Sequence, residues 1–491
     1  MKLVYDVNDK PEFNKTIVFA FQQMIAIMAA TLLVPMLVTS YGLEADPAAA
    51  LFGAGCGTLV YIFFTKKKSP VFLGSSFTFL GAYFASIGLN FGYLGILIGV
   101  FFAGLVYVVI GLIVKAAGSG WVNKLMPAVI IGPIVTLIGL SLSGTATGWM
   151  TTNGGTDADY SLVTILVGAV TFFAIVIAAV KGSENIKLIP FIIGIAAGYG
   201  IALAITLIGN GADIEGMKIM SFDSFKQAFD PITVQSFVKV PDFFFFKAIQ
   251  EQGWKTLSLV DIGSIALIYV PIGVVELAQH IADHKNLGNI INKDLITDPG
   301  LDNTLLGDGV GSIVGSIFGG AANTTYGESI GCVAITGNAS IVTIACASLG
   351  CMVLSFFTPF VALINSIPKC VMGGACVALY GFIAVSGLQM LRKVDLNNNK
   401  NLFIVSGILV TGIGGLTLQF GINELTGTPI LTVTSLAVAL LFGITTNLIV
   451  NDGKLVADAS DLEKKAQQPE ALAAKGVTPA TPRKDRKKGR N

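Results

Sequence analysis

The sequence predicts an all-α polytopic membrane protein of about 14 transmembrane segments, laid out as a 7+7 inverted repeat. Composition is the first ground: of 491 residues 53% are hydrophobic and 12% charged, where a soluble domain carries about 25% charged. Length is the second, because apolar windows of roughly 20 residues, enough to cross about 30 Å of hydrocarbon, recur about 14 times. The third is a pair of irregularities. Segments 70–88 and 324–337 are short, polar and glycine-rich, and each is the third span of its set. Seven being odd, the second set enters the membrane inverted, and matched broken helices in such repeats point to a midplane substrate site.

Residues 1–15 are polar and read as a cytoplasmic N-terminus; the apolar run 16–40 lacks a small-residue cleavage site and reads as a retained first span. Spans 48–65, 70–88, 91–115, 122–144, 161–180 and 187–208 complete a first repeat over 16–208, with ends placed to about four residues. Residues 145–160 fit an external loop, as does the longer 209–256, whose Asp, Glu, Trp and Phe residues suit an extracellular stretch with an amphipathic element. The second repeat, 257–450, takes 257–284, 303–320, 324–337, 339–363, 369–390, 401–420 and 428–450. Beyond it, 451–491 has few large apolar residues, cannot bury enough surface to fold alone, and reads as a disordered basic cytoplasmic tail. Orientation follows from Lys66 to Lys68, Lys181, Lys187, Lys285, Lys293, Arg392, Lys393 and the Arg483 to Arg490 tail, which share one side if both termini are cytoplasmic.

A formal net charge of +1 gives no reason to expect a nucleic-acid partner. The six cysteines lie in or beside apolar segments without C-x-x-C pairing, which argues against a disulfide framework and a zinc site. No metal or other cofactor is expected.

The chemistry concentrates in three places. In the tenth span, Asn323-Thr324-Thr325-Tyr326-Gly327-Glu328 sets a carboxylate, a tyrosine and a flexible backbone at membrane depth. An acid there costs roughly 2.5 to 3.5 kcal/mol on insertion scales and reads as part of a binding site or ion path, hence of a transporter. In the third span, Gly74-Ser75-Ser76-Phe77 lets the backbone leave helical geometry and offers freed N–H groups and a flat ring to a ligand. Read alone, the same residues equally allow close helix packing with Phe77 as core. In the eighth span, Glu276 and His280 lie four apart on one helix face, an arrangement suited to sharing a proton. His284, beside Asp283 and Lys285 at the end of that span, reads as interfacial. Asp294, Asp298 and Asp302 recur every fourth residue, the spacing of a magnesium-diphosphate site in an intramembrane enzyme, but Pro299-Gly300 breaks the helix they would need.

These motifs, with Lys293 through Leu301, Gln22 through Pro35 and Val371 through Gly381, resemble the uracil-permease branch of the nucleobase/ascorbate (xanthine/uracil permease) transporters, from about Phe13 to Val450. The resemblance implies core and gate domains, broken third and tenth spans, proton-coupled uptake of a nucleobase with alternating access, residence in the cytoplasmic membrane, and a homodimer. It further implies that Glu276 and Glu328 accept hydrogen bonds from ring N–H groups and that the backbones at Phe77 and Gly327 meet ring carbonyl oxygens. Phe77 and Ala30 would pack on the ring, Tyr326 would border it and Tyr380 face it from the gate side. His280, with Glu276, would belong to the proton-coupling network.

Uracil alternates N–H donors and carbonyl acceptors around a flat ring, which two carboxyl groups, free backbone amides and an aromatic face complement. Three positions depart from the family pattern: Ser329 stands where Asn is usual, Gln23 where His is usual, and Leu277 where a histidine usually follows the eighth-span acid. The alternatives are a permease for xanthine, another purine or a different pyrimidine, and more remotely an anion transporter of the same architecture, which would prefer a positive site.

Overall fold

A computed structural model describes residues 3–152, 160–187, 189–251, 257–392, 394–422 and 429–451. Among the described residues, fourteen helices carry the spans: α1 Phe13–Ser40, α2 Pro47–Phe64, α3 Leu80–Gly88, α4 Gly92–Ala117, α5 Ala128–Thr152, α6 Leu162–Lys181, α7 Pro190–Ala212, α8 Leu259–Ile291, α9 Leu301–Gly319, α10 Gly327–Thr336, α11 Ile341–Leu354, α12 Lys369–Leu391, α13 Asn399–Ile413 and α14 Ser435–Val450. Among the described residues, eight of these are long and apolar enough to cross a membrane unaided. α3 and α10 are the broken spans: each is a half-helix preceded by a short strand, β1 (Leu73–Ser75) and β2 (Asn323–Thr325).

The two strands pair antiparallel, Leu73 with Thr325, Gly74 with Thr324 and Ser75 with Asn323. Ser76 N donating to Ala322 O (2.8 Å) and Tyr326 N to Phe72 O (3.2 Å) extend the ladder at both ends. Inside a bilayer the pairing satisfies backbone that has left the helix, since unpaired amides at that depth cost several kcal/mol each. Gly74 is required because the Tyr326 ring occupies the space its Cβ would take.

Packing sorts the helices into two groups, core and gate. In the core, α9 lies between α2 and α4, α8 packs on α4, and α11 on α1 and α2; in the gate, α12 lies on α5 and α6, α7 on α6, and α13 on α5 and α14. Missing side chains set the close approaches: a Cβ on Gly57 of α2 would stand 2.8 Å from the Gly311 carbonyl oxygen of α9, and one on Gly309 would stand 2.6 Å from that of Gly104 on α4. Such small-residue contacts are how helices associate in lipid, where burial of apolar area supplies no drive. α8 touches α5 and α14 and so forms part of the seam between groups. Leu277, in the position where the family pattern has a histidine, is buried in an apolar cluster that also includes Ile130, Ile134 and Leu391.

Several expected boundaries move. α8 runs to Ile291 rather than stopping at 284, and ends where Asn292 takes a left-handed conformation (φ 54°). His284 is therefore not interfacial: it is 1% exposed, a full two turns inside the helix end. The polar run Asp283-His284-Lys285 looks like a span end, but the first two side chains have partners within the protein. α5 continues to Thr152 into the expected 145–160 loop, whose residues 153–159 lie outside the described ones. The 401–420 span stops at Ile413, and an unanticipated hairpin, β3 (Leu418–Ile422) with β4 (Pro429–Val433), follows the turn at Gly415 (φ 69°). Within 209–256 the helix Phe244–Gln250 buries Phe244 and Ala248 and leaves Phe246 and Ile249 exposed, so its outward face also carries apolar side chains. Asp298 is non-helical (φ −142°, ψ 111°) and pairs with Lys68 at 2.6 Å, so the three spaced aspartates do not share a helix. The 451–491 tail, Lys393 and the Arg483 to Arg490 cluster fall outside the described residues, apart from Asn451.

Candidate functional site

The β1–β2 pair has a half-helix N-terminus beyond each end, Phe77 opening the one-turn 3₁₀ segment Phe77–Phe79 that leads into α3, and Gly327 opening α10. First-turn N–H groups have no acceptor within their own helix and carry the positive end of the helix dipole, so each terminus is a ready donor set. Gly327 is exposed and Glu328 half-buried, so the start of α10 faces open space, whereas Phe77 is buried. Tyr326 lies between the strands and α10, its hydroxyl donating to Ser75 O at 2.8 Å; it fixes the crossing and borders the site.

Glu276 enters from α8 and is 1% exposed. Ser76, Thr78 and Thr324, from both broken spans, lie close to its carboxyl group, yet Oε2 has no hydrogen-bond partner. Ser75 Oγ and Tyr380 Oη are likewise buried and unpartnered in the protein. Buried polar atoms are normally paired, and those that are not mark capacity for a polar ligand. Tyr380 reaches the site from α12 of the gate, its ring edge-on to Phe77 with centroids 5.5 Å apart. Ala30 is buried on α1, which packs on β1, α3 and α10, and so lies beside the same crossing.

His280 does not bond to its helix neighbour Glu276. Its Nδ1 lies 2.6 Å from Asp308 Oδ2 and its Nε2 3.1 Å from Thr304 Oγ1, both on α9. Asp308 is fully buried, and its Oδ1 is unpartnered. Asp283 receives the Thr325 hydroxyl at 3.1 Å, so a further acid is tied to β2. Asp308 and Asp283 are not among the candidates expected from the sequence, although Asp308, like Glu328, is an acid within an apolar glycine-rich span and carries the same cost of burial.

Two of the departing positions are joined. Ser329 Oγ accepts from Gln23 Nε2 on α1 and from Phe72 N (2.9 Å) beside β1. One buried hydroxyl thus ties the first span to both broken spans, and the two unusual residues complement each other.

The permease-family model matches residues 14–421. The chain is 37% identical to the uracil permease of Bacillus caldolyticus over 451 residues, covering 91% of this chain and 95% of that protein. To the uracil permease of Escherichia coli strain K12 it is 31% identical over 459 residues, covering 93% and 97%. Among solved structures, the transmembrane domain of the cyanobacterium bicarbonate transporter BicA superposes with a TM-score of 0.54 at 14% identity, covering 83% of this chain and 98% of that one. SLC26A9 gives 0.56 at 12% identity, covering 90% and 66%. At these identities the likeness is one of fold, the inverted-repeat architecture of core and gate.

Proposed function

The chain belongs to the permease family, a family of transporters rather than enzymes, and from that premise we propose that it imports uracil by proton symport across the cytoplasmic membrane. The observation that carries this reading is the antiparallel crossing of the two broken spans, beside which Glu276 and Glu328 would serve as acceptors, the N–H groups at Phe77 and Gly327 as donors, and Phe77 as the aromatic face. The carboxyl groups take the ring N–H groups and the half-helix amides take the ring carbonyl oxygens. Phe77 and Ala30 pack on the ring, while Tyr326 and Tyr380 bound it. An anion is disfavoured because Glu328 already fills the first turn of α10, where the helix dipole would hold a negative ligand.

The proton is held by the buried acids and His280, and access alternates as the core moves against the gate. Both termini and the lysine-rich face, with Lys66 to Lys68, Lys285 and Lys293, lie toward the cytoplasm, and the protein is a homodimer in the bilayer. Competition for labelled uracil on purified protein tests the substrate. Uracil should displace best, thymine less well because of its methyl group, and cytosine poorly because its amino group puts a donor where an acceptor is needed. Stronger displacement by xanthine than by uracil would replace this reading with a purine permease.

A further inference from the structure

Below the site, toward the lysine-rich face, the two histidines of the chain form a second polar chain that substrate recognition does not use. The His280 and His284 rings lie with centroids 4.1 Å apart and planes tilted by 33°. His284 Nδ1 donates to His280 O (2.7 Å), and its Nε2 lies 2.6 Å from the Tyr61 hydroxyl of α2. Tyr61 Oη in turn lies 2.8 Å from Ser69 Oγ. Ser69 follows Lys68, whose ammonium pairs with Asp298 at the exposed surface. His284, Tyr61 and Ser69 are themselves buried at 1% exposure or less.

Both rings are anchored at one nitrogen and free to exchange at the other. Thr304 Oγ1 donates to Leu301 O (3.1 Å), so it accepts from His280 Nε2–H, and a single proton is left to be shared between His280 Nδ1 and Asp308. His284 Nδ1 can only donate to the carbonyl, so its exchangeable position is Nε2, facing Tyr61. Tyr61 has one hydroxyl proton and two acceptors within reach, His284 Nε2 and Ser69 Oγ. The ionisable groups around the pair are Tyr107 from α4, edge-on to His280 at 5.7 Å, Tyr61 from α2, Asp308 from α9, and Glu276 and Asp283 from α8 itself. None is a cation, and two imidazolium rings this close repel, so the pair carries at most one excess proton, one imidazolium beside one neutral ring.

We propose that His284, Tyr61 and Ser69 form the proton-release arm of the carrier, so that a proton bound at His280–Asp308 leaves toward the lysine-rich face by way of the His284 ring. This rests on the proton-symport reading above. The proton departs a His280 nitrogen, leaving that ring neutral, and arrives at His284 Nε2 as one ring swings from its present hydrogen bond. It then passes to Tyr61 Oη while the Tyr61 hydroxyl proton moves to Ser69, and the Ser69 proton leaves to water on the Lys68 side when the core moves and uncovers Ser69, so only O–H and N–H bonds exchange and each group is restored. Tyr61 and His284 are positioning residues for the proton and touch no substrate.

Tyr61→Phe deletes one oxygen and keeps the ring, and His284→Gln keeps a polar side chain. Both would be reconstituted in vesicles with an internal pH dye and compared with wild type for uracil binding, uracil counterflow and uracil-driven proton influx. The expected result is binding within about twofold of wild type, counterflow retained, and net uptake with proton influx slowed by at least about tenfold. Wild-type rates of coupled influx in Tyr61→Phe would overturn the release arm, as would loss of binding and counterflow together with coupled influx at unchanged thermal stability. Should His284→Gln be thermally unstable, Tyr61→Phe decides alone. Absence of uracil-driven proton influx in the wild-type protein would instead reject symport, and the release arm with it.

Discussion

At the scale of single residues the candidate site turns on where acidic side chains are buried and where one hydroxyl serves two donors. Glu276→Gln and Glu328→Gln should each weaken uracil binding roughly tenfold or more while the protein still inserts, because an amide loses charge-assisted acceptance worth about 1.5 to 3 kcal/mol. Calorimetry on the purified variants checks this, and wild-type affinity in both would remove these residues from the site. Ser329→Ala should leave Gln23 Nε2 and Phe72 N unsatisfied in a buried place, at about 1 to 3 kcal/mol. A double-mutant cycle with Gln23→Ala should show non-additivity, since removing the amide relieves half the penalty; simple additivity would mean that the two side chains do not act as a unit. Glu276, Glu328 and His280 were legible in the sequence because charge in an apolar run is conspicuous. The Gln23–Ser329 bond was not, because 306 positions separate its ends and each looked like an isolated departure.

At the scale of elements, both broken spans could be read from glycine, serine and shortness, but not their pairing, because three-residue strands carry no periodic signal. The β3–β4 hairpin was hidden for the opposite reason, its apolar run being as consistent with a span. Gly315 lies where α9 meets β2, with Asn323 Nδ2 in the space of its missing Cβ. Gly315→Ala should displace β2, lowering both thermal stability and uracil affinity, whereas Gly211→Ala, with open space around it, should leave affinity unchanged. Equal behaviour of the two would detach β2 from the site. The N-terminal segment is strapped to the α10–α11 connection by Val4 N to Gly337 O (2.8 Å) and Ala339 N to Tyr5 O (2.9 Å). Asp6 grips Lys293 at 2.7 and 2.9 Å. Lys293 holds the Asp6 carboxyl below its ordinary value of 3.8. A depressed carboxyl contributes stability that is full above that ordinary value and lost as pH falls through the lower folded one. Asp6→Asn should therefore speed hydrogen exchange in residues 3–9 at neutral pH, with the difference from wild type closing only in strong acid. An unchanged exchange rate at neutral pH would show that the backbone strap holds without the ion pair.

At the scale of the whole molecule, two glycine-packed groups meet along a seam that holds Phe77 on one side and Tyr380 on the other. On the function proposed above, the seam is where the two groups would move against each other, and the groups proposed to bind the ligand on the core would travel together. On the symport proposed above, a proton gradient drives uracil inward only if the core reorients with both ligands or with neither, which would tie the buried acids and His280 to the crossing proposed to bind the ring. The most direct test of this coupling is uptake of labelled uracil into vesicles of purified protein with an imposed inward proton gradient and the membrane voltage clamped at zero. Accumulation above the external concentration that collapses with a protonophore, and that is lost in His280→Ala while uracil counterflow survives, is the predicted result. Equilibration to the external concentration and no further in the wild-type protein, whatever the gradient, would contradict proton symport and leave a uniporter of the same fold.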